Sequence, residues 1–330
     1  MSLERFETEV QAALAAVEGA EATPTQKAEM LVEFAMGLQK KPKSPAQLQA
    51  AVSLYRKGLE VCPEGEPLLR ARTQARMATA LRALPGESSA PLEEALAVLE
   101  ESRPVLEALG LPEEVAELEM NRGLVLQALS AAGRARLQDA IVAYQRALRV
   151  FDHARYPQEH AILHNNLATA FLSIPVAGEG SKMREALAVS SFEEGLKGVS
   201  LVDHPVEYAM LQNNLGNALQ SVSSSHAVEN SLRALDAYAE ALRVRTRRDM
   251  PLEYANTIAN KATCLWGLPD DPQDPRAGNR ANLREAHALL TEAEAIFAEF
   301  GEGQKADSVR QARLEMAAEL AAAGTPPLPH

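Results

Sequence analysis

The chain has few of the residues and segments that build several common kinds of site. Its two cysteines, Cys62 and Cys264, lie far apart, which excludes a disulfide framework and a four-cysteine zinc site. No apolar run is long enough for an ordinary transmembrane helix. Basic residues are outnumbered, 33 against 45 acidic ones, and the net charge of −12 argues against nucleic acid or an anionic membrane as the main partner.

The first residues are polar and acidic, whereas a signal peptide would be basic and then apolar. We therefore expect a cytoplasmic protein. Of the 330 residues 46% are hydrophobic, and Ala, Leu and Glu are abundant, which favours helices around a substantial core.

The sequence repeats itself. Five segments begin with a proline and continue as an amphipathic stretch with Asn or Arg near its middle; the two best copies are PQEHAILHNNLATAFLSI from Pro157 and PVEYAMLQNNLGNALQSV from Pro205. The five prolines, spaced 45, 45, 48 and 46 residues apart, are Pro67, Pro112, Pro157, Pro205 and Pro251. Proline is well tolerated at a helix start, so each segment is predicted to open a helix.

A second pattern keeps the same period. It consists of an alanine, an aromatic residue or Leu four positions later, and a small residue three positions after that. Its copies begin at Ala51, Ala95, Ala140, Ala188, Ala234 and Ala286. Residues at i, i+4 and i+7 share one helix face, so each unit is predicted to be a helical hairpin.

Leu215-Gly216 in the first helix, followed by Ala234, Tyr238 and Ala241 in the second, resembles the tetratricopeptide repeat (TPR). The period exceeds the usual ~34 residues by about ten, which is similar to the longer repeats of kinesin light chains. The resemblance covers roughly residues 24–300. It implies an all-α fold: a right-handed α-solenoid of about six helical hairpins, with capping helices at both ends.

The predicted domain organisation follows from these spacings. An N-terminal capping helix occupies 1–23, the repeat array 24–300, a C-terminal capping helix 301–323 and a disordered tail 324–330. The six units of the array are predicted near 24–63, 67–109, 112–154, 157–202, 205–248 and 251–300.

Polar residues recur in phase on the first helices, which line the concave groove of TPR arrays. The residue nine positions after each proline is Arg76, Asn121, Asn166, Asn214 or Asn260. Polar neighbours that join them as candidate site residues are Arg72, Asn165, Gln212, Asn213, Asn217 and Asn256. A carboxamide both donates and accepts, so this ladder of residues could hold the backbone of a partner segment. Alternatively, the asparagines bond between adjacent helices and fix the stacking.

Two further clusters have alternative interpretations. His160 and His164, four residues apart on one helix, could chelate a metal, but Ala161 stands where the metalloprotease motif has Glu. The basic run Arg243, Arg245, Arg247 and Arg248 is either a set of cations favoured at a helix C-terminus or a docking patch for an acidic protein surface.

The sequence thus predicts a non-enzymatic scaffold that binds a protein or peptide segment, as an adaptor, assembly factor or regulatory subunit. No motif predicts a cofactor, a bound metal, a nucleic acid or a membrane as its ligand. One alternative is self-assembly, with two copies pairing as a homodimer. A less favoured alternative is a metal-dependent enzyme that uses His160 and His164.

Overall fold

The computed structural model describes residues 3–175, 178–222 and 226–322, and these contain helices and no strand. The helices are α1 Leu3–Glu18, α2 Pro24–Lys40, α3 Pro45–Val61, α4 Pro67–Arg82, α5 Ala90–Leu109, α6 Pro112–Ala131, α7 Leu137–Ala147, α8 Pro157–Leu172, α9 Glu179–Leu196, α10 Pro205–Ser221, α11 Ala227–Leu242, α12 Pro251–Trp266, α13 Arg280–Glu299 and α14 Gly303–Ala322. The predicted all-α fold is confirmed. The predicted tail, 324–330, lies outside the described residues.

The prolines that mark the repeat begin helices. Helices α2, α3, α4, α6, α8, α10 and α12 each start at a proline. Proline has a fixed φ and no backbone N–H, and the first N–H of a helix has no intrahelical partner in any case. At α2 the start is further fixed because Thr23 and Gln26 cap each other's backbone N–H. The spacing of these prolines therefore sets the spacing of the helix pairs.

The helices pack as consecutive pairs in two compact units that divide between Phe151 and Asp152. Unit 1 contains the pairs α2/α3, α4/α5 and α6/α7, and α1 packs against α2 and α3. Unit 2 contains the pairs α8/α9, α10/α11 and α12/α13, and α14 packs against α13. The predicted six helical hairpins with an additional helix at either end are confirmed. None of the helices in the described part of the chain has the length and apolar character needed to cross a bilayer.

In the pairs α6/α7 and α10/α11, a tyrosine of the second helix fills the space left by a glycine of the first. A Cβ atom on Gly123 would overlap Cε1 of Tyr144, and one on Gly216 would lie 2.6 Å from Cε1 of Tyr238. Both rings are fully buried. Each hydroxyl reaches an amide of the first helix: Tyr144 donates to Gln127 over 2.8 Å. The glycine of the Leu-Gly pattern and the aromatic residue of the Ala-aromatic-Ala pattern thus contact each other. The glycine has no side chain, so the ring can pack against the backbone of the first helix.

Two first helices carry a cation where the TPR pattern has leucine, and both cations form ion pairs with a second helix: Arg122 with α5 of the preceding pair and Lys261 with α13 of its own pair. Arg122 Nε lies 2.5 Å from Glu100 Oε1, and Lys261 Nζ lies 2.8 Å from Glu285 Oε1. The long apolar stems of Arg and Lys cover core surface while the charged ends meet carboxylates. The pair geometry is retained at both positions.

Candidate functional site

In each unit the first helices of neighbouring pairs approach one another. Helix α4 contacts both α2 and α6, and α10 contacts both α8 and α12, whereas second helices of successive pairs make at most marginal contact in the described chain. The first helices therefore form the more tightly curved side of each unit. We call these surfaces the first-helix face of unit 1 and the first-helix face of unit 2.

The first-helix face of unit 2 carries a continuous chain of amide hydrogen bonds. Asn260 Nδ2 donates to Asn213 Oδ1 over 3.2 Å, and Asn213 Nδ2 donates to Asn214 Oδ1 over 3.0 Å. Asn214 Nδ2 then donates to Asn165 Oδ1 over 2.7 Å, and Asn165 Nδ2 donates to Asn166 Oδ1 over 3.3 Å. We call these five residues the amide chain. It joins α12 to α10 and α10 to α8, and it runs in one direction.

The register of the amide chain is regular. Both interhelical bonds join the same two positions. The donor is the asparagine nine residues after the proline that begins its helix. The acceptor is the asparagine eight residues after the proline that begins the preceding first helix. Within α8 and α10, the asparagine at the eighth position donates to the asparagine at the ninth, and this bond continues the chain. The amides thus bond between adjacent helices, as the second interpretation of the ladder predicts.

The amide chain leaves hydrogen-bonding capacity unused. An amide group has two N–H donors and two acceptor lone pairs, and each member of the chain uses at most one of each within it. Asn165, Asn166, Asn214 and Asn260 are half-buried, while Asn213 is buried. At the α8 end, Asn166 accepts within the chain without donating. Four of the amides can therefore bond to a ligand without leaving the chain.

The other predicted residues of unit 2 bond within their own helix or pair. Asn217 accepts the hydroxyl of Tyr238 over 2.7 Å. Asn256 donates to the carbonyl of Leu252 in its own helix, and Gln212 is half-buried on α10. Asn217 is thereby engaged in the ring contact of its pair, whereas Asn256 and Gln212 lie on the first helices outside the amide chain.

In unit 1 the predicted ladder does not form a chain. The eighth position after the proline is Ala75 in α4 and Met120 in α6, so no amide is present there to accept. Asn121 is buried and donates to the carbonyl of Glu117 in its own helix. Arg76 is exposed on α4.

Arg72, Arg76 and Asn121 instead line a small cleft of about 110 Å³ between α4 and α6. Arg72 holds Glu114 with two hydrogen bonds, of 2.6 and 3.1 Å. This bidentate contact keeps the pKa of Glu114 below its usual range. Within the described residues the guanidinium of Arg76 has no ion-pair partner, so Arg76 is the cation that this cleft offers to a ligand.

The interpretation of the basic run as a four-residue docking patch is corrected by the position of Arg245. Its side chain is only 8% exposed and donates to Thr257 Oγ1 over 2.9 Å, because it lies in a core position of the α11–α12 connection. Arg243 and Arg248 pair with Glu240 and Asp249 beside them in sequence. Arg247 lies 3.8 Å from Glu292 and 3.7 Å from Glu299. The exposed arginines are thus largely neutralised by local carboxylates.

The histidines form a cluster at the start of unit 2. The ring centroids of His160 and His164 lie 4.4 Å apart, and that of His153 lies 5.7 Å from His160. Nδ1 of His160 and Nδ1 of His164 are buried and have no hydrogen-bond partner in the part of the chain that the structure describes. Burial, followed by the neighbouring His160, lowers the pKa of His164 to about 4. Among the described residues, no group of three or more His, Cys, Asp or Glu side chains is arranged to hold a metal ion.

No protein-family profile and no curated protein matches the chain, whereas solved structures do. The complex of the TPR2AB domain of yeast Sti1 with pHSP90 is 16% identical, covers 88% of this chain and 99% of that chain, and has a TM-score of 0.27. A Rap protein complexed with Competence and Sporulation Factor is 13% identical in sequence, with a TM-score of 0.39. The match covers 97% of the present chain and 86% of the Rap chain. At these scores the likeness carries no argument, and the all-α fold of helical hairpins is given by the helix pairs themselves.

Proposed function

We propose that the protein is a non-enzymatic interaction scaffold that binds an extended or helical segment of a partner protein on its first-helix faces. The observation that carries this proposal is the set of half-buried amides on the first helices of unit 2. They are held in place by one another, and each uses at most one donor and one acceptor within the amide chain. Because the hydrogen bonds fix the side chains beforehand, little conformational entropy is lost when a ligand binds.

The chemistry of the faces suits a polypeptide ligand. Each half-buried amide can accept a backbone N–H and donate to a backbone C=O, so contact does not depend on the side chains of the partner. On unit 1, the exposed guanidinium of Arg76 in the α4–α6 cleft adds a site for a partner carboxylate. An adaptor, an assembly factor and a regulatory subunit would all use such faces.

The test is affinity capture of the tagged protein from its native cell, quantified by mass spectrometry. One variant, Arg76→Ala, alters the face of unit 1, and a second, Asn166→Ala with Asn256→Ala, alters the face of unit 2. None of these side chains donates to a neighbouring helix, so both variants should remain folded. Gln145→Ala with Thr291→Ala is the matched control, because both residues are exposed on second helices.

We expect a specific partner whose recovery falls several-fold in one of the face variants and is unchanged in the control. Equal recovery from the wild type and both variants would contradict binding on these faces. An empty capture, together with a concentration-dependent mass in light scattering, would instead favour the homodimer.

A further inference from the structure

A second surface, separate from the α4–α6 cleft and the amide chain, lies at the N-terminal end of unit 1. We call it the α1–α2 groove. It consists of two adjoining concavities: one of about 510 Å³ between α1 and α2, and one of about 700 Å³ lined by α2 and the α1–α2 connection. They meet at Phe34, whose large ring is 43% exposed, and share Glu33. An exposed aromatic ring at the centre of a concave surface is typical of a binding site.

An apolar stripe of α2 runs through both concavities, and the smaller one, beside α1, is apolar on both sides. Met30, Phe34 and Leu38 form one stripe of α2 at four-residue intervals, which is about 12 Å of helix. Ala12 and Ala16 of α1 form the opposite wall and project little. Small residues at these positions allow another helix to approach closely. Such a helix could place three of its own apolar side chains in the groove, which is the helix-in-groove mode of recognition.

The rim of the groove is acidic. Glu21, Glu29 and Glu33 are exposed and form no ion pair within the described residues. Glu94 on α5, by contrast, is paired with Arg56 of the neighbouring helix α3. The nearby Lys27 forms no ion pair with these three carboxylates within the described residues; its ammonium group donates to the carbonyl of Glu18.

This charge decides which occupant fits. A second copy of the chain, related by two-fold symmetry, would bring the same three carboxylates together across the interface. A membrane or nucleic acid would present negative charge to a negative rim. We propose that the α1–α2 groove binds a basic amphipathic helix of a partner protein, with apolar side chains against Phe34 and Lys or Arg side chains against Glu21, Glu29 and Glu33.

The probe for this site is a fluorescein-labelled peptide of about 18 residues, or five helical turns, with leucines on one face and lysines on its flanks. Binding to the full chain is measured by fluorescence anisotropy at low and high salt. A peptide of the same composition, permuted so that the leucines no longer share a face, is the control ligand.

The key variant is Gly37→Gln. A Cβ atom at Gly37 meets nothing within 4 Å, so glutamine would project into the open groove without steric conflict in the chain. Glutamine also has a higher helix propensity than glycine, so a loss of binding cannot be assigned to unfolding. Gly303→Gln on α14, at another exposed glycine with open space around it, is the matched control.

We expect Gly37→Gln to weaken peptide binding at least ten-fold and Gly303→Gln to leave it unchanged. Glu29→Gln with Glu33→Gln should weaken binding several-fold at low salt and flatten its salt dependence. Equal binding by wild type and Gly37→Gln, equal binding of the permuted peptide, or no binding by the wild type would overturn the proposal. A dimer in sedimentation that Gly37→Gln abolishes would overturn it in favour of a second copy.

Discussion

At the scale of single residues, Arg245 departs most clearly from the repeat. The residue eleven positions after the first alanine of the second-helix pattern is buried in all six pairs, as Cys62, Leu106, Phe151, Val199, Arg245 and Phe297. Five of these side chains are apolar. Arg245 has Thr257 as its hydrogen-bond partner, and its Nε is buried without one among the described residues. Burial outweighs the opposing effect of the nearby Glu253 and lowers the pKa of the guanidinium. A buried charge without a carboxylate partner costs desolvation energy that one neutral hydrogen bond does not offset.

Replacing Arg245 with the apolar residue of the other pairs should therefore stabilise the protein. We predict that Arg245→Leu raises the free energy of unfolding by about 1–3 kcal/mol, measured by urea denaturation. Thr257 stays satisfied, because its hydroxyl also donates to the carbonyl of Glu253. Arg243→Leu, at an exposed residue of the same run, should change stability by less than about 0.5 kcal/mol. A destabilised Arg245→Leu protein would show that the guanidinium contributes to folding.

At the scale of the helices, the amide chain has a direction that isosteric substitutions can detect. Asn214 must donate to Asn165, so an aspartate at 214 would set two acceptors against each other. Asn166 accepts from Asn165, and an aspartate at 166 would still accept. We predict that Asn214→Asp lowers the free energy of unfolding by about 2 kcal/mol and Asn166→Asp by well under 1 kcal/mol, measured at neutral pH. Equal losses in the two variants would contradict a directional chain.

The helices were largely predictable from the sequence, whereas the bonding of the ladder was not. The prolines and the alanine–aromatic spacing specify helix starts and faces, because these are properties of one helix at a time. The ninth-position asparagines are a recurring feature that the sequence shows directly. Their partners lie at the eighth position of the preceding helix, and that offset depends on how two pairs stack. In the sequence, the Asn-Asn dipeptides at 165–166 and 213–214 indicate where an amide chain can form. Ala75 and Met120 occupy the eighth position in α4 and α6, so the accepting amide is absent there.

At the scale of the whole molecule, the histidine cluster gives unit 2 a pH dependence of its own. The groups that face His164 are His160, Glu194 and Lys197, with His153 and Asp152 beside His160. In the folded protein the pKa of His164 is about 4, against 6.5 for the ordinary side chain, so the unfolded state binds more protons between these values. Stability is complete above about pH 6.5 and is lost as the pH falls towards 4.

We predict that acidification from pH 7.5 to pH 5 lowers the free energy of unfolding of unit 2 by roughly 1.4 kcal/mol per pH unit below 6.5. Hydrogen exchange measured by mass spectrometry should show faster exchange in α8 and α9 at pH 5, after correction for the intrinsic rate. His164→Gln should flatten the response, and His287→Gln should leave it unchanged. An acid response that persists in His164→Gln would contradict this account.

The division of the chain at Phe151 and Asp152 leaves no trace in the repeat. Pro112 and Pro157 are 45 residues apart, the same separation as that of Pro67 and Pro112 within unit 1. Repeat spacing reports the length of each hairpin and its connections, whereas the boundary of a compact unit depends on how many side chains meet across it. The sequence therefore predicted the pairs without indicating this boundary.

The central claim, that a partner binds on the first-helix faces, is tested most directly by site-specific photo-crosslinking in the native cell. A photoreactive side chain is placed at Arg76 or Asn256, and at Gln145 or Thr291 as exposed second-helix controls. We predict crosslinks to a partner polypeptide from a first-helix position and none from the controls. Crosslinks from the second helices alone, or to a second copy of the chain alone, would contradict the claim.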